Sequence, residues 1–227
     1  MNLFGTKKAP NTSPLEMKPP SDLTTAISQG SQIIIRQKRE LAELFLGFET
    51  RNQYRLFDET GAPCGSVIER SSGFLSILKR LFLKSHRSFV IDVMDASGKP
   101  ILKFSRPFFF FFSDITVSVP NGPVLGTAHR RFGILNKIYD LQDVNAQKFA
   151  QIRSSMFKIW TFAIRDDRGS EVACISKRWS GALKEYFTDT DNFMVEFGAT
   201  GWTAAQRAII FATAISIDFD FFENNNN

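Results

Sequence analysis

Residues Ala204 to Glu223, AAQRAIIFATAISIDFDFFE, place the strongest constraint on what this chain can fold into. Thr203 and Gln206 stand in T-x-x-Q spacing, a capping box that satisfies the first free amides of a helix. Beyond Arg207 the apolar residues form no stripe: Ile209, Ile210, Phe211 and Ala212 step around the axis and cover every side. A helix that is apolar all round must be enclosed by lipid or by protein. A bilayer crossing wants roughly 20 apolar residues, and this run meets Asp218 ten residues after Ala208. The expectation is a helix wrapped by its own fold, with Ile209, Ile210, Phe211, Ile215 and Ile217 as its plug and the preceding chain as container.

The container is written as hairpins. Tyr54 to Gly61 runs into Cys64, Phe89 to Gly98 into Ile101, and Ile115 to Gly122 into Val124. Tyr139 to Asn145 runs into Phe149, and Phe162 to Gly169 into Val172. Each unit is a period-2 strand, a turn of Asp, Asn or Gly, and a second period-2 strand. Gly and Asn tolerate the positive φ that tight hairpins need. Five hairpins, with further strands near Ile33 and over Asn192 to Phe197, give about twelve strands. A closed antiparallel sheet of that size is too wide for its own side chains to fill, since about eight strands already fill theirs.

Outside the hairpins, residues 1–31 carry Pro10, Pro14, Pro19 and Pro20 among Ser, Thr, Asn and Lys, which predicts a disordered arm. Residues 32–223 form the expected barrel domain, and Asn224 to Asn227 a low-complexity tail. Leu41, Leu44 and Phe45 sit at helical spacing, with strand as the open alternative. The start, MNLFGTKKAPNTSP, lacks a signal peptide's apolar core. Net charge is +5, which favours anionic partners: phospholipid headgroups, nucleic acid or acidic proteins. Cys64 and Cys174 give neither a disulfide framework nor metal-ligand spacing; they suit a reducing compartment or simply say nothing about redox.

GFETRNQY (Gly47 to Tyr54), ISKRWSGALKEYFTDTDNF (Ile175 to Phe193) and the closing AISIDFDFFE together resemble the phospholipid scramblase family. The likeness spans about Gln37 to Glu223 with the hairpins in the same order. It implies the tubby-like fold, mainly β, a twelve-stranded antiparallel β-barrel around a central apolar C-terminal helix. It also implies ATP-independent, bidirectional movement of phospholipids between leaflets, often with calcium. The family's calcium segment has the form D-x-D-N-F-G-x-x-F-x-x-D. Here Asp189, Asp191 and Asn192 match, while Met194 replaces the glycine and Thr200 the last acid. Glu196 would fall on the face of Asn192 in an alternating strand, so Asp189, Asp191, Asn192 and Glu196 are the candidate ligands of an incomplete motif. The bland alternative is a turn before a Phe193/Val195/Phe197 core face.

Two stretches invite membrane contact. In Gly73 to Ser88, Phe74, Ile77, Leu78 and Leu81 share a helical face, while Lys79, Arg80, Lys84 and Arg87 are basic. Such a helix can lie in a headgroup layer or cover a barrel mouth. Phe108 to Phe112 are five consecutive phenylalanines. In an alternating strand about half would face outward, with Phe109 and Phe111 as the membrane-inserting edge or packed on both faces. The resemblance implies palmitoylated cysteines in this part of the chain, and none is present here.

His86 and His129 read as surface positions. No nucleophile elbow, P-loop or dinucleotide fingerprint appears, so no covalent catalysis is expected. Asp218 and Asp220 are expected to mark where the helix meets water; buried against Arg207 or a barrel lysine they would line a polar path. The expected function is scramblase-like, at the cytoplasmic face of a membrane rich in anionic phospholipid. The alternative is a non-transporting module that binds anionic lipid or a protein partner. Nucleic acid has only net charge in its favour.

Overall fold

A computed structural model describes residues 18–37, 53–70, 88–155, 157, 161–177, 192–198 and 201–221. Twelve strands close a barrel: β1 (Gln32–Gln37), β2 (Gln53–Phe57), β3 (Pro63–Glu69), β4 (Phe89–Asp95), β5 (Pro100–Arg106) and β6 (Asp114–Ser118), then β7 (Val124–Arg131), β8 (Asn136–Asp143), β9 (Lys148–Ser155), β10 (Thr161–Arg165), β11 (Glu171–Ser176) and β12 (Asn192–Glu196). Neighbours in sequence are neighbours in the sheet, all antiparallel. The ring is closed by β1 against β12, with Ile33 opposite Val195 and Ile35 opposite Phe193.

Four of the five hairpins share one turn device. Asp58, Asp95, Asp143 and Asp166 each accept, on Oδ1, backbone N–H groups two and four residues on. The residue three after the aspartate is left-handed: Gly61, Gly98 and Gly169 at φ near +80°, and Ala146 at +59°. Glycine reaches that region at no steric cost, and alanine does not. The aspartate therefore supplies the acceptor while the glycine supplies the backbone freedom, which is why Asp-x-x-Gly reads as a hairpin.

The barrel is filled as expected. Helix α2 (Ala204–Phe221) begins with the capping box, Thr203 N–H donating to Gln206 Oε1 at 2.9 Å and Gln206 N–H to Thr203 Oγ1 at 3.2 Å. Ile209, Ile210, Phe211, Ile215 and Ile217 are all buried. Full burial of side chains of this size contributes roughly 1.5–3 kcal/mol each. Thr213 is tolerated inside because its hydroxyl donates to the Ile209 carbonyl at 2.7 Å.

One expectation fails. The arm foreseen as disordered to residue 31 contains α1 (Leu23–Gln29), capped by Asp22, whose carboxylate accepts Thr25 N–H at 2.7 Å. Leu23, Ala26 and Ile27 are buried, so a seven-residue helix too short to persist alone is held by tertiary packing. Arg207 fastens it. Its Nε donates to the Ile27 carbonyl at 2.6 Å, a second guanidinium N–H donates to the Gly30 carbonyl, and the guanidinium lies 4.0 Å from the Phe197 ring centre. Arg207 is thus a strap between α1 and the first turn of α2.

Candidate functional site

An up-and-down barrel sorts its connections by end. The five tight hairpins lie at one end, together with α1 and the start of α2. The other six connections, including β5–β6, β7–β8 and β9–β10, lie at the opposite end, here called the loop end. Helix α2 runs toward it: Phe219 stacks on Phe89 at 5.0 Å and meets Tyr54 edge-on at 6.2 Å.

At the loop end the inward-facing residues turn polar. The alternation that puts Val67, Phe104, Tyr139 and Ile152 in the core puts Glu69, Arg106, Lys137 and Ser154 on the same side, all buried. Arg106 lies 4.3 Å from the Phe89 ring centre and 5.0 Å from that of Phe109, a cation–π arrangement. Lys137 Nζ is 5.5 Å from the Phe162 ring centre. Burial first, and then the neighbouring Arg130 charge, holds the Lys137 ammonium pKa below its ordinary value.

Asp218 belongs to this layer and corrects the expectation that it marks the helix's return to water. It is 2% exposed. The Tyr54 hydroxyl donates to Asp218 Oδ2 at 2.8 Å, and Lys177 Nζ lies 3.1 Å from Oδ1. The alternative reading, burial against a barrel lysine, is the one realised. A cavity of about 10 Å³ adjoins the pair, lined by Ser176, Lys177, Asp218, Phe162, Phe193 and Ile217. That is room for about one water molecule. The side chain of Asp220 is outside the described set.

The phenylalanine run is a loop between β5 and β6, where a strand was expected. Phe109, expected on the membrane edge, instead turns inward at 8% exposure and packs on Arg106. A ring placed over a buried guanidinium cannot also enter a bilayer. Phe110 and Phe111 stand out at 75% and 83% exposure, and Phe108 meets Phe110 edge-on at 4.9 Å. Sequence reasoning missed Phe132, Ile134 and Leu135 between β7 and β8, and Phe157 between β9 and β10, all exposed. Both connections are mostly apolar in sequence, FGIL over 132–135 and MFKIW over 156–160, a signal that was there to read; only the strand order shows that they share an end. The expected contacts Phe74, Ile77, Leu78, Lys79, Arg80, Leu81 and Lys84 lie outside the described residues.

The calcium set is not assembled by the described residues. Asn192 and Glu196 do share the outward face of β12, opposite core-facing Phe193 and Val195. Four residues of strand separate them by about 13 Å, too far for one ion whose ligands each sit about 2.3–2.6 Å away. Asn192 is buried and its Nδ2, a donor, lacks an acceptor, which is no invitation to a cation. Asp189 and Asp191 lie outside the described residues. Among those described, no group of three or more His, Cys, Asp or Glu could hold a metal. His129 is half-buried, its Nδ1 2.9 Å from Asp114 Oδ1 and its Nε2 2.9 Å from Thr127 Oγ1.

Comparison with known proteins supplies the context. A family model described as Scramblase matches residues 10–224. Altered inheritance rate of mitochondria protein 25 of Saccharomyces cerevisiae is 28% identical over 242 residues, covering 90% of this chain and 74% of that protein. A phospholipid scramblase family protein of Schizosaccharomyces pombe is 25% identical, covering 84% of this chain and 59% of its own length. Phospholipid scramblase 1 of Rattus norvegicus is 27% identical, covering 94% and 65%. No solved structure matches the chain. No helix among the described residues is long and apolar enough to cross a membrane.

Proposed function

The chain belongs to the scramblase family, and on that premise we propose that it moves phospholipids between the leaflets of a membrane, in both directions and without ATP or covalent chemistry. The observation that carries this reading is the bare pair Phe110 and Phe111 at the loop end of a closed barrel. Helix α2 is spent on filling the barrel, so among the described residues apolar contact with lipid falls to loops.

Mechanistically, the barrier to leaflet exchange is the cost of carrying a charged headgroup through hydrocarbon. Aromatic side chains wedged among headgroups disorder and thin one leaflet, which lowers that barrier. The barrel supplies a rigid body from which the wedge can be pressed. The partner proposed is an anionic phospholipid membrane, met at its cytoplasmic face; the free thiols Cys64 and Cys174 support a reducing compartment.

The test is reconstitution into liposomes with labelled lipid in both leaflets, with and without calcium. Exchange without ATP is the expected result. Vesicle binding without exchange would replace this reading with a lipid-binding module, and inactivity in both assays with a protein-interaction domain. The calcium arm tests the expectation that rests on Asp189, Asp191 and Asn192; no step above is routed through the ion.

A further inference from the structure

We propose that the β5–β10 arc of the loop end is a bilayer-docking face. On it Phe132, Ile134 and Leu135 of the β7–β8 connection and Phe157 of the β9–β10 connection enter the lipid interface beside Phe110 and Phe111, with the barrel axis near the membrane normal. This rests on the membrane reading above and adds to it the residues, the end and the orientation.

The first support is convergence. β5 to β10 are consecutive in the ring, so their three loop-end connections occupy one continuous arc of the rim. Strands lie about 4.8 Å apart, which spaces adjacent connections on this arc by roughly 10 Å. Phe110, Phe111, Phe132, Ile134 and Phe157 are each more than two-thirds exposed, so none of the described residues covers them. Scattered single apolar residues need no explanation, but a contiguous set on one rim does. Among the described residues the hairpin end offers no counterpart: its exposed large apolar residues are the valines Val119, Val124 and Val144.

The second support is charge. The hairpin end carries Asp58, Glu59, Asp95, Asp143, Asp166, Asp167 and Glu171 in or beside its turns, against Lys99, Lys148, Arg165 and Arg168. The strand ends near the loop rim carry exposed Arg36, Arg70, Arg131 and Arg153, against exposed Asp114. The described residues are therefore polarised along the barrel axis, net acidic where the chain is tightly turned and net basic where it is aromatic. An anionic bilayer attracts the basic end and repels the acidic one. Aromatic residues rimmed by arginine suit the interface, where rings sit at headgroup depth and guanidinium groups meet phosphate. A protein partner would account for the apolar rim, but it has no comparable need for an acid-to-base axis across the whole fold.

Co-sedimentation of the full chain with phosphatidylcholine vesicles, with and without phosphatidylserine, tests the proposal. Ile134→Asp with Leu135→Asp, and separately Phe157→Asp, are expected to weaken binding at least tenfold. Val144→Asp at the hairpin end should leave it within twofold. Circular dichroism of each variant confirms the barrel, and Phe157→Ser serves if the charged variants misfold. Any of these binding results would overturn the proposal: wild-type chain that does not bind, loop variants that bind like wild type, a Val144→Asp variant as impaired as they are, or a vesicle-free dimer that Phe157→Asp dissociates. Leaflet exchange measured on the same samples keeps the two readings apart. Binding through this face without exchange removes the transport reading and leaves the docking face. Exchange that survives both loop variants removes the docking face and leaves transport.

Discussion

The Tyr54 hydroxyl donates a 2.8 Å hydrogen bond to the Asp218 carboxylate across 164 residues of chain. It joins the start of β2 to the last turns of α2, beside Lys177. Removing the donor with Tyr54→Phe is expected to destabilise the fold by about 1–3 kcal/mol. Asp218→Ala is expected to cost more, about 3–5 kcal/mol, because it strips a buried lysine of its carboxylate. Urea unfolding midpoints of the two variants check both the size and the order.

Phe109 and its neighbours should separate by role. Phe109→Ala uncovers the Arg106 guanidinium and should destabilise the fold by about 3–5 kcal/mol. Phe110→Ser with Phe111→Ser should leave stability within about 0.5 kcal/mol while reducing leaflet exchange. Thermal unfolding and the liposome assay together check the split.

Ala146 occupies the left-handed position that Gly61, Gly98 and Gly169 hold in the sister turns. Ala146→Gly is expected to relieve about 1 kcal/mol of backbone strain, raising Tm by about 2–4 °C for a chain of this size. Differential scanning calorimetry reads it directly; a lower Tm would mean that the turn is not strained.

Asp140, on the outward face of β8, carries the clearest pH signature. Burial works to raise its carboxyl pKa, but hydrogen bonds from Lys148, Gln151 and Arg131 outweigh that and hold it below the ordinary 3.8. A depressed folded pKa contributes stability that is fully present above the unfolded value and lost as pH falls through the folded one. Wild type should therefore lose stability below about pH 4 more steeply than Asp140→Asn. Denaturant midpoints measured from pH 6 down to pH 2 test the slope.

Arg207 should control α1 without controlling the barrel. Arg207→Met removes two charged donors from the Ile27 and Gly30 carbonyls. Amide exchange over residues 23–30 is expected to quicken while the strands keep their protection. Equal loss of protection everywhere would show that the strap supports the whole fold.

Much of this architecture was legible because its signals are local. Asp143 and Asn145, or Asp166 and Gly169, announce their hairpins within a few residues, and the all-round apolar α2 demands an enclosure that twelve strands supply. α1 was missed because prolines nearby dominate the composition, although Asp22 before Leu23, Ala26 and Ile27 is a cap followed by helical spacing. Asp218 looked like a helix end because its partners, Tyr54 and Lys177, are distant in sequence and only closure brings them together. Phe109 differs from Phe111 solely by which way a loop turns. Phe157 was missed although its connection, MFKIW over 156–160, is mostly apolar in sequence, because only the ring shows which other connections share its rim. Of the candidate calcium ligands only Asn192 and Glu196 are described: alternation puts them on one face, and the strand's rise sets them apart.

Closure of β1 onto β12, with α2 following, also fixes an order of events during synthesis. The first-made strand must wait for the last-made one, and the stopper for the interior emerges after both. Until then a growing chain holds an unsealed sheet whose inner face is oily and whose two outermost strands present unpaired amides. A ribosome-bound intermediate of this protein is thus a natural client for chaperones. Premature termination anywhere before Thr203 would yield an aggregating product where a smaller functional domain might have been wanted.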